Sequence, residues 1–308
     1  MSCNPNLTPQ ELREKIAELK QKRNAIILAH NYVLGEIQDI ADFCGDSLEL
    51  SIKAAENTNA DTIVFCGVRF MAETAKILSP GKKVLLPTPD AGCAMADMID
   101  LNTLNKIKKQ YPDAVTVCYV NSTAEVKTGV DICCTSANAE RIVASIPAEK
   151  EVIMVPDGNL GANVGNALKR KIIRYNGFCP IHNRFTRQMI EDRRREFPEA
   201  VVIVHPECAP DITAAADAAL STGAMLGFVK NSPAKMFIIG TEIGIIYRLR
   251  KENPDKIFIP LTEQAICPDM KKCELFDVYI ALRDMKEEII LPQEVIDSAR
   301  GAIEKMLK

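Results

Sequence analysis

The sequence predicts an α/β protein built from three homologous three-layer α/β/α domains, with parallel sheets, arranged around a pseudo-threefold axis. Three observations carry that expectation. Short apolar runs of strand length alternate with stretches of helical period along the chain, the pattern of α/β architectures. Cys93, Cys179 and Cys267 stand 86 and 88 residues apart, and each follows an apolar run (84–86, 171–173 and 257–259). Other marks keep the same step: Asn31, Asn121 and Pro206 are 90 and 85 apart, and Ser47, Ser136 and Thr222 are 89 and 86 apart. A repeat of this length, with strands and helices in each copy, reads as a triplicated unit. The expected domains are 1–92, 93–178 and 179–274, with 275–308 returning to complete the first.

In the first copy, Thr8-Pro9-Gln10-Glu11 opens a helix, with Thr as N-cap, Pro at the first position and Glu placed for a capping box. Leu12, Ile16 and Leu19 form its apolar stripe. Ala25–Ala29 is a buried strand ending in His30-Asn31-Tyr32. The stretch from Asp39 to Asn57 contains Gly45-Asp46 and a helix from near Ser47. Strand Thr62–Cys66, helix Met71–Leu78 and strand Lys83–Leu86 then lead to Cys93. The second copy has helix Leu101–Gln110, strand Val115–Tyr119, helix Asn138–Ile146, strand Val152–Val155, a helix after Gly158 and strand Lys171–Ile173, and reaches Cys179. The third has helix Arg187–Phe197, strand Ala200–Val204 ending His205-Pro206-Glu207, a helix at Thr222 and strand Lys235–Ile239. A helix opened by Thr241-Glu242 and strand Lys256–Ile259 then lead to Cys267. A last helix, from about Gln293 to Met306, is expected to pack back on the first domain.

Composition narrows the function classes. A net charge of −3 gives no basic field to recruit nucleic acid, and the 5% aromatic content with no Trp offers little stacking platform for single strands. No apolar run approaches the ~20 residues of a membrane span. Met1-Ser-Cys-Asn-Pro lacks the basic and apolar regions of a signal peptide, so the expected location is cytoplasmic. Eleven cysteines are many for a reducing compartment. Most read as small buried hydrophobes, Cys66 and Cys118 among them, since they fall inside apolar strand patterns.

The repeat singles out the others. Right-handed crossovers place every strand's C-terminal edge on one side of its domain. Three such edges meeting at one axis would bring Cys93, Cys179 and Cys267 to one cavity. Three thiolates there suit Zn²⁺ or an iron–sulfur cluster, and equally three buried thiols at equivalent places of a repeat. His30 and His205 both end the first strand of a copy. Glu207 is the best acid/base candidate, with a pKa expected to rise in a closed cavity, or else an exposed turn residue. Ser47, Ser136 and Thr222 each open a helix, where hydroxyls and free N–H groups bind carboxylate or phosphate, or serve as plain caps. Gly158-Asn-Leu-Gly161 lacks the GxGxxG of a dinucleotide loop. Arg193–Arg195 reads as a solvated helix face.

Seven collinear segments from about Asn24 to Cys273 carry a resemblance. They are His30-Asn-Tyr32, Gly45-Asp-Ser47-Leu-Glu-Leu, Phe65-Cys-Gly-Val-Arg-Phe-Met-Ala-Glu-Thr-Ala75, Cys134-Thr-Ser-Ala-Asn138, Cys179-Pro-Ile-His182, His205-Pro-Glu-Cys208 and Gly240-Thr-Glu242. Together they resemble the quinolinate synthase A family of de novo NAD synthesis. The resemblance implies three α/β/α domains around an oxygen-sensitive 4Fe-4S cluster. It implies condensation of iminoaspartate with dihydroxyacetone phosphate to quinolinate, phosphate and two waters. It assigns Cys93, Cys179 and Cys267 to the cluster, whose open iron binds substrate or intermediate and assists dehydration. His30, Ser47, Tyr119, Asn121, Ser136, His205 and Thr222 then hold substrate carboxylates and phosphate, Glu207 is the main acid/base, and Tyr32 closes over the site. An L-aspartate oxidase or aspartate dehydrogenase is the implied upstream partner. Some members carry CxxCxxC at the third cysteine. Here the run is Cys267-Pro-Asp-Met270-Lys-Lys-Cys273, so Cys273 reads as a buried thiol. A three-cysteine hydro-lyase of the aconitase kind and a zinc-stabilised binding module are the competing readings.

Overall fold

The computed structural model describes residues 7–56 and 59–308; Met1–Asn6, with the segment read for a signal peptide, and Asn57-Thr58 lie outside the described residues. Three four-stranded sheets, each wholly parallel and flanked by helices, make up the molecule. The first contains β1 (Ala25–His30), β2 (Phe43–Gly45), β3 (Thr62–Cys66) and β4 (Lys83–Leu85). The second contains β5 (Val115–Tyr119), β6 (Ile132–Cys134), β7 (Val152–Val155) and β8 (Ile173–Arg174). The third contains β9 (Val201–Val204), β10 (Ala218–Ala219), β11 (Met236–Gly240) and β12 (Ile257–Pro260).

All three share one strand order, with the copy's first strand between its second and third: β2-β1-β3-β4, β6-β5-β7-β8 and β10-β9-β11-β12. The fold is therefore the triplicated α/β architecture the repeats predict. The central strands are buried on both faces. Every residue of β3 and β7 is inaccessible, which is why these strands read as unbroken apolar runs rather than as alternating patterns.

The structure adds a strand to each copy. β2, β6 and β10 are only three, three and two residues long, too short for any period to declare itself. Backbone pairing alone defines them, as in Ala29↔Cys44 and Tyr119↔Cys134. The capping box at Thr8 forms as expected: its hydroxyl accepts from Glu11 N–H, and the Glu11 carboxylate accepts from Thr8 N–H at 2.7 Å. The helix expected at Thr241-Glu242 begins instead at Ile245, because the Glu242 carboxylate folds back to accept from Gly244 N–H.

The C-terminal helix Gln293–Leu307 packs on the helices Ser47–Glu56 and Arg69–Leu78 of the first copy, and also on β6 and the helix Ala124–Lys127 of the second. It packs on the first copy and on the second as well. Helix Leu275–Asp284 packs on Pro9–Lys22, and residues 287–289 pair with the exposed edge of β4 through Leu86 N–H to Glu287 O and Ile289 N–H to Val84 O. No helix among the described residues is long and apolar enough to cross a membrane.

Candidate active site

The C-terminal edges of the three sheets face one cavity of about 210 Å³. Cys93, Cys179, Cys267, His30, Tyr32, Ser47, Tyr119, Asn121, Ser136, His205, Glu207 and Thr222 all line it. The crossovers bring them there: each first strand ends at the cavity (His30, Tyr119, Val204), and each fourth strand runs into a cysteine loop.

The three cysteine loops are alike in atomic detail. At each sulfur the backbone N–H groups two and three positions on act to lower the thiol's pKa: Met95 and Ala96 for Cys93, Ile181 and His182 for Cys179, Asp269 and Met270 for Cys267. A short 3₁₀ turn follows in every case, at Ala96–Met98, His182–Arg184 and Asp269–Lys271. Paired N–H donors aimed at a sulfur favour thiolate over thiol. Burial opposes them, lifting Cys93 to about 12 and moving Cys179 and Cys267 upward as well.

Beside the Cys179 thiol lies a hydrogen-bonded network. The Tyr119 hydroxyl donates to Glu207 Oε1, and His182 Nδ1 meets Glu207 Oε2 at 2.6 Å. His182 Nε2 meets Thr241 Oγ1 at 2.8 Å, and the Tyr32 hydroxyl bridges Thr241 (2.5 Å) and Thr222 (3.0 Å). The His182 and His205 rings stack with centroids 4.6 Å apart.

Two histidines are fixed in the same way. Tyr32 N–H donates to His30 Nδ1 at 3.2 Å, and Glu207 N–H donates to His205 Nδ1 at 3.3 Å. Nδ1 is the acceptor in both, so the ring proton sits on Nε2. That of His205 is directed at Ser136 Oγ, 3.2 Å away. Burial lowers both rings to about 3, the positive Lys271 adding to the effect at His30, and both are neutral donors at neutral pH.

Glu207 corrects the sequence reading. It is 3% exposed rather than on an open turn, and its carboxyl is not raised. Burial pushes it up, but His182 and His205 beside it and the Tyr119 hydroxyl outweigh burial and hold it below the ordinary carboxylate range. It rests ionised, as a proton acceptor.

The helix starts also differ from expectation. Ser47 and Thr222 are first residues of Ser47–Glu56 and Thr222–Asn231, but Ser136 lies ahead of Ala139–Ala144, which follows Asn138. The Asp46 carboxylate takes the N–H groups of Leu48 and Glu49 (both 3.0 Å) and of Gly223 (3.2 Å), so part of the expected anion rim is already filled. Asn121 Oδ1 is buried without a partner among the described residues.

Residues the sequence did not assign complete the wall. His182 was legible only as the fourth residue of Cys179-Pro-Ile-His182. Arg184, Asp46 and Glu242 also line the cavity, and Lys271 joins Glu242 at 2.8 Å while its Nζ donates to Tyr32 O. Cys179, His182 and Glu207 offer ligand atoms within 4.8 Å of one another, within reach of a single metal ion.

The Quinolinate synthetase A protein family model matches residues 14–308. The chain belongs to that family. Relatives named quinolinate synthase include one from Dehalococcoides mccartyi (strain CBDB1), 54% identical over 96% of this chain and 98% of its own length. Those from Pelobacter propionicus and Methanosarcina barkeri are 52% and 50% identical, each over 96% of this chain and 97% of its own. Membership of this family makes the chain an enzyme.

Proposed function

We propose that this chain condenses iminoaspartate with dihydroxyacetone phosphate to quinolinate, phosphate and two waters, serving NAD synthesis, with a 4Fe-4S cluster held by Cys93, Cys179 and Cys267. The threefold cysteine loop is the observation that supports it most. Each copy presents one thiol, cradled by two amides, to one cavity. Cys93, Cys179 and Cys267 would hold such a cluster by three thiolates, and it would supply a Lewis acid.

The chain's own groups divide the remaining work. Glu207, ionised at rest, accepts a proton at Oε1 or Oε2, and the Tyr119 hydroxyl and His182 ring stabilise whichever form results. The Nε2–H groups of His30 and His205 are neutral donors for carboxylate or carbonyl oxygen. Asn121 Oδ1, lacking a partner, suits an N–H or O–H of the substrate. The hydroxyls of Ser47, Ser136 and Thr222, with Arg184 at the wall, suit phosphate or carboxylate. Tyr32, tied to Thr222 and Thr241, covers the substrates and shields them from water. Iminoaspartate hydrolyses readily, so an oxidase or dehydrogenase acting on aspartate must supply it. The expected setting is the cytoplasm.

A single ion at Cys179, His182 and Glu207 is the second reading. Against it, both His182 nitrogens already have hydrogen-bond partners, which accounts for the clustering without metal. Anaerobic purification followed by iron and sulfide analysis separates the two. About four of each per chain, with turnover of the two substrates, supports the cluster; one metal and no sulfide supports the ion. In Cys179→Ser, a full complement of iron would sink the assignment of the three cysteines.

A further inference from the structure

Lys127 is wholly inaccessible, the one buried lysine or arginine among the described residues. Its Nζ donates to Ser122 O at 2.6 Å and lies 5.4 Å from the centroid of the Phe70 ring. Phe70 lines the cavity alongside Cys93. Among the described residues no carboxylate comes within ion-pair distance of Lys127. The Glu73 carboxylate, on the same helix as Phe70, is committed to Ala124 N–H at 2.9 Å and to Arg69 at 3.1 Å. An ammonium taken out of water without a contact partner is costly, and such groups persist where opposite charge nearby repays the burial. Negative charge placed on Cys133, Cys118, Glu73 or Cys93 would act on it. Cys133 and Cys118, facing each other across β6 and β5, are wholly buried in the sheet. That leaves Glu73, already paired, and the cavity.

We propose that Lys127 is the buried countercharge of the metal centre: its ammonium, set against Phe70 at the wall of the cavity that Cys93 also lines, offsets negative charge held by the three cysteines and fixes the centre's reduction potential. This rests on the proposed cluster. A 4Fe-4S core carried by three thiolates has a net charge of about −1, which a nearby cation stabilises, and more so once an electron is added. Lys127 touches no substrate in this arrangement. It acts through its field, and its removal makes reduction harder.

The test is the midpoint potential of the anaerobically purified, cluster-loaded protein, followed by the spectrum of the reduced cluster, with iron and sulfide measured on each sample. Lys127→Met keeps the length of the side chain and removes its charge; its midpoint is expected to move to more negative values at unchanged iron content. Lys127→Arg keeps the charge and is expected to stay near the parent. Glu73→Gln retains an acceptor for Ala124 N–H while removing the competing negative charge, so it should move the midpoint the other way. Glu73→Gln decides the matter if Lys127→Met fails to fold. An unmoved midpoint in loaded Lys127→Met, or in Glu73→Gln where Lys127→Met does not load, overturns the proposal. Absence of iron from the parent protein fails the cluster reading instead, so the two failures are distinct.

Discussion

At the scale of single residues, the site is governed by which charges burial forbids and which it allows. Glu207 is ionised although 3% exposed, because two imidazoles and a phenol face it. Replacing it with Gln keeps the size and removes the acceptor for a proton. Glu207→Gln is expected to retain its iron while turnover falls by about 10²- to 10⁴-fold, the usual worth of a positioned acid/base. Near-parental turnover in a steady-state assay would take the role from Glu207. The histidines give a prediction of opposite character. His30 and His205 have folded pKa values of about 3, well below the ~6.5 of an unfolded chain. Between those values the unfolded chain binds protons that the native one does not, so stability rises with pH. It is fully present above ~6.5 and is lost as pH falls below it, by up to about 3 kcal/mol per pH unit for the two together. Urea midpoints of the metal-free chain at pH 7.5 and 5.5 measure this, and His205→Asn should flatten the difference. A midpoint independent of pH over that interval would contradict the neutral tautomers assigned here.

At the scale of elements, the loops that carry the thiols depend on close backbone approaches. Gly177 pairs with Asp157 across an isolated parallel bridge just beyond β7 and β8, through Gly158 N–H to Gly177 O (2.8 Å) and Gly177 N–H to Pro156 O (3.1 Å). A Cβ on Gly177 would stand 2.4 Å from Pro156 O, a backbone atom that cannot swing aside. Gly177→Ala is therefore expected to lower stability by about 1–3 kcal/mol, and to lower bound iron as well because Cys179 lies two residues on. Parental iron content and urea midpoint would show that the loop adapts. The cysteines were legible in the sequence because each follows a strand and they recur 86 and 88 residues apart. The N–H donors around each sulfur were not, since backbone turns leave little mark beyond the Pro at 180 and 268. Likewise β2, β6 and β10 have no period of their own and exist by pairing with β1, β5 and β9. Glu207 was found by its place after β9 and then misjudged in its ionisation, because His182 reaches it from a different loop 25 residues away in sequence.

At the scale of the molecule, three copies of one unit make a site only if their edges are held together, and polar struts and the C-terminal helix do so. Arg248 on helix Ile245–Glu252 of the third copy reaches Asn31 Oδ1 at 2.8 Å and Cys44 O at 2.6 Å in the first. Glu73 of the first accepts from Ala124 N–H of the second. The repeat announced the three units, but an amphipathic helix tells only that one face is covered, not by what. Gln293–Leu307 turns Ile296, Ala299, Ala302, Ile303 and Met306 into the seam between the first and second copies, and Asn138 Nδ2 donates to Met306 O at 2.9 Å. Asn138 Oδ1 in turn accepts from Thr135 N–H, next to Ser136, so the helix end helps hold a cavity hydroxyl. Ile303→Ala removes a fully buried side chain from this seam and is expected to cost about 2–5 kcal/mol. Because the seam is shared, hydrogen exchange should quicken in both the helix Arg69–Leu78 and β6, and KM should rise more than kcat falls. Faster exchange confined to the helix Arg69–Leu78, with β6 unchanged, would mean that the C-terminal helix belongs to the first copy alone and that the second is held to it by other contacts.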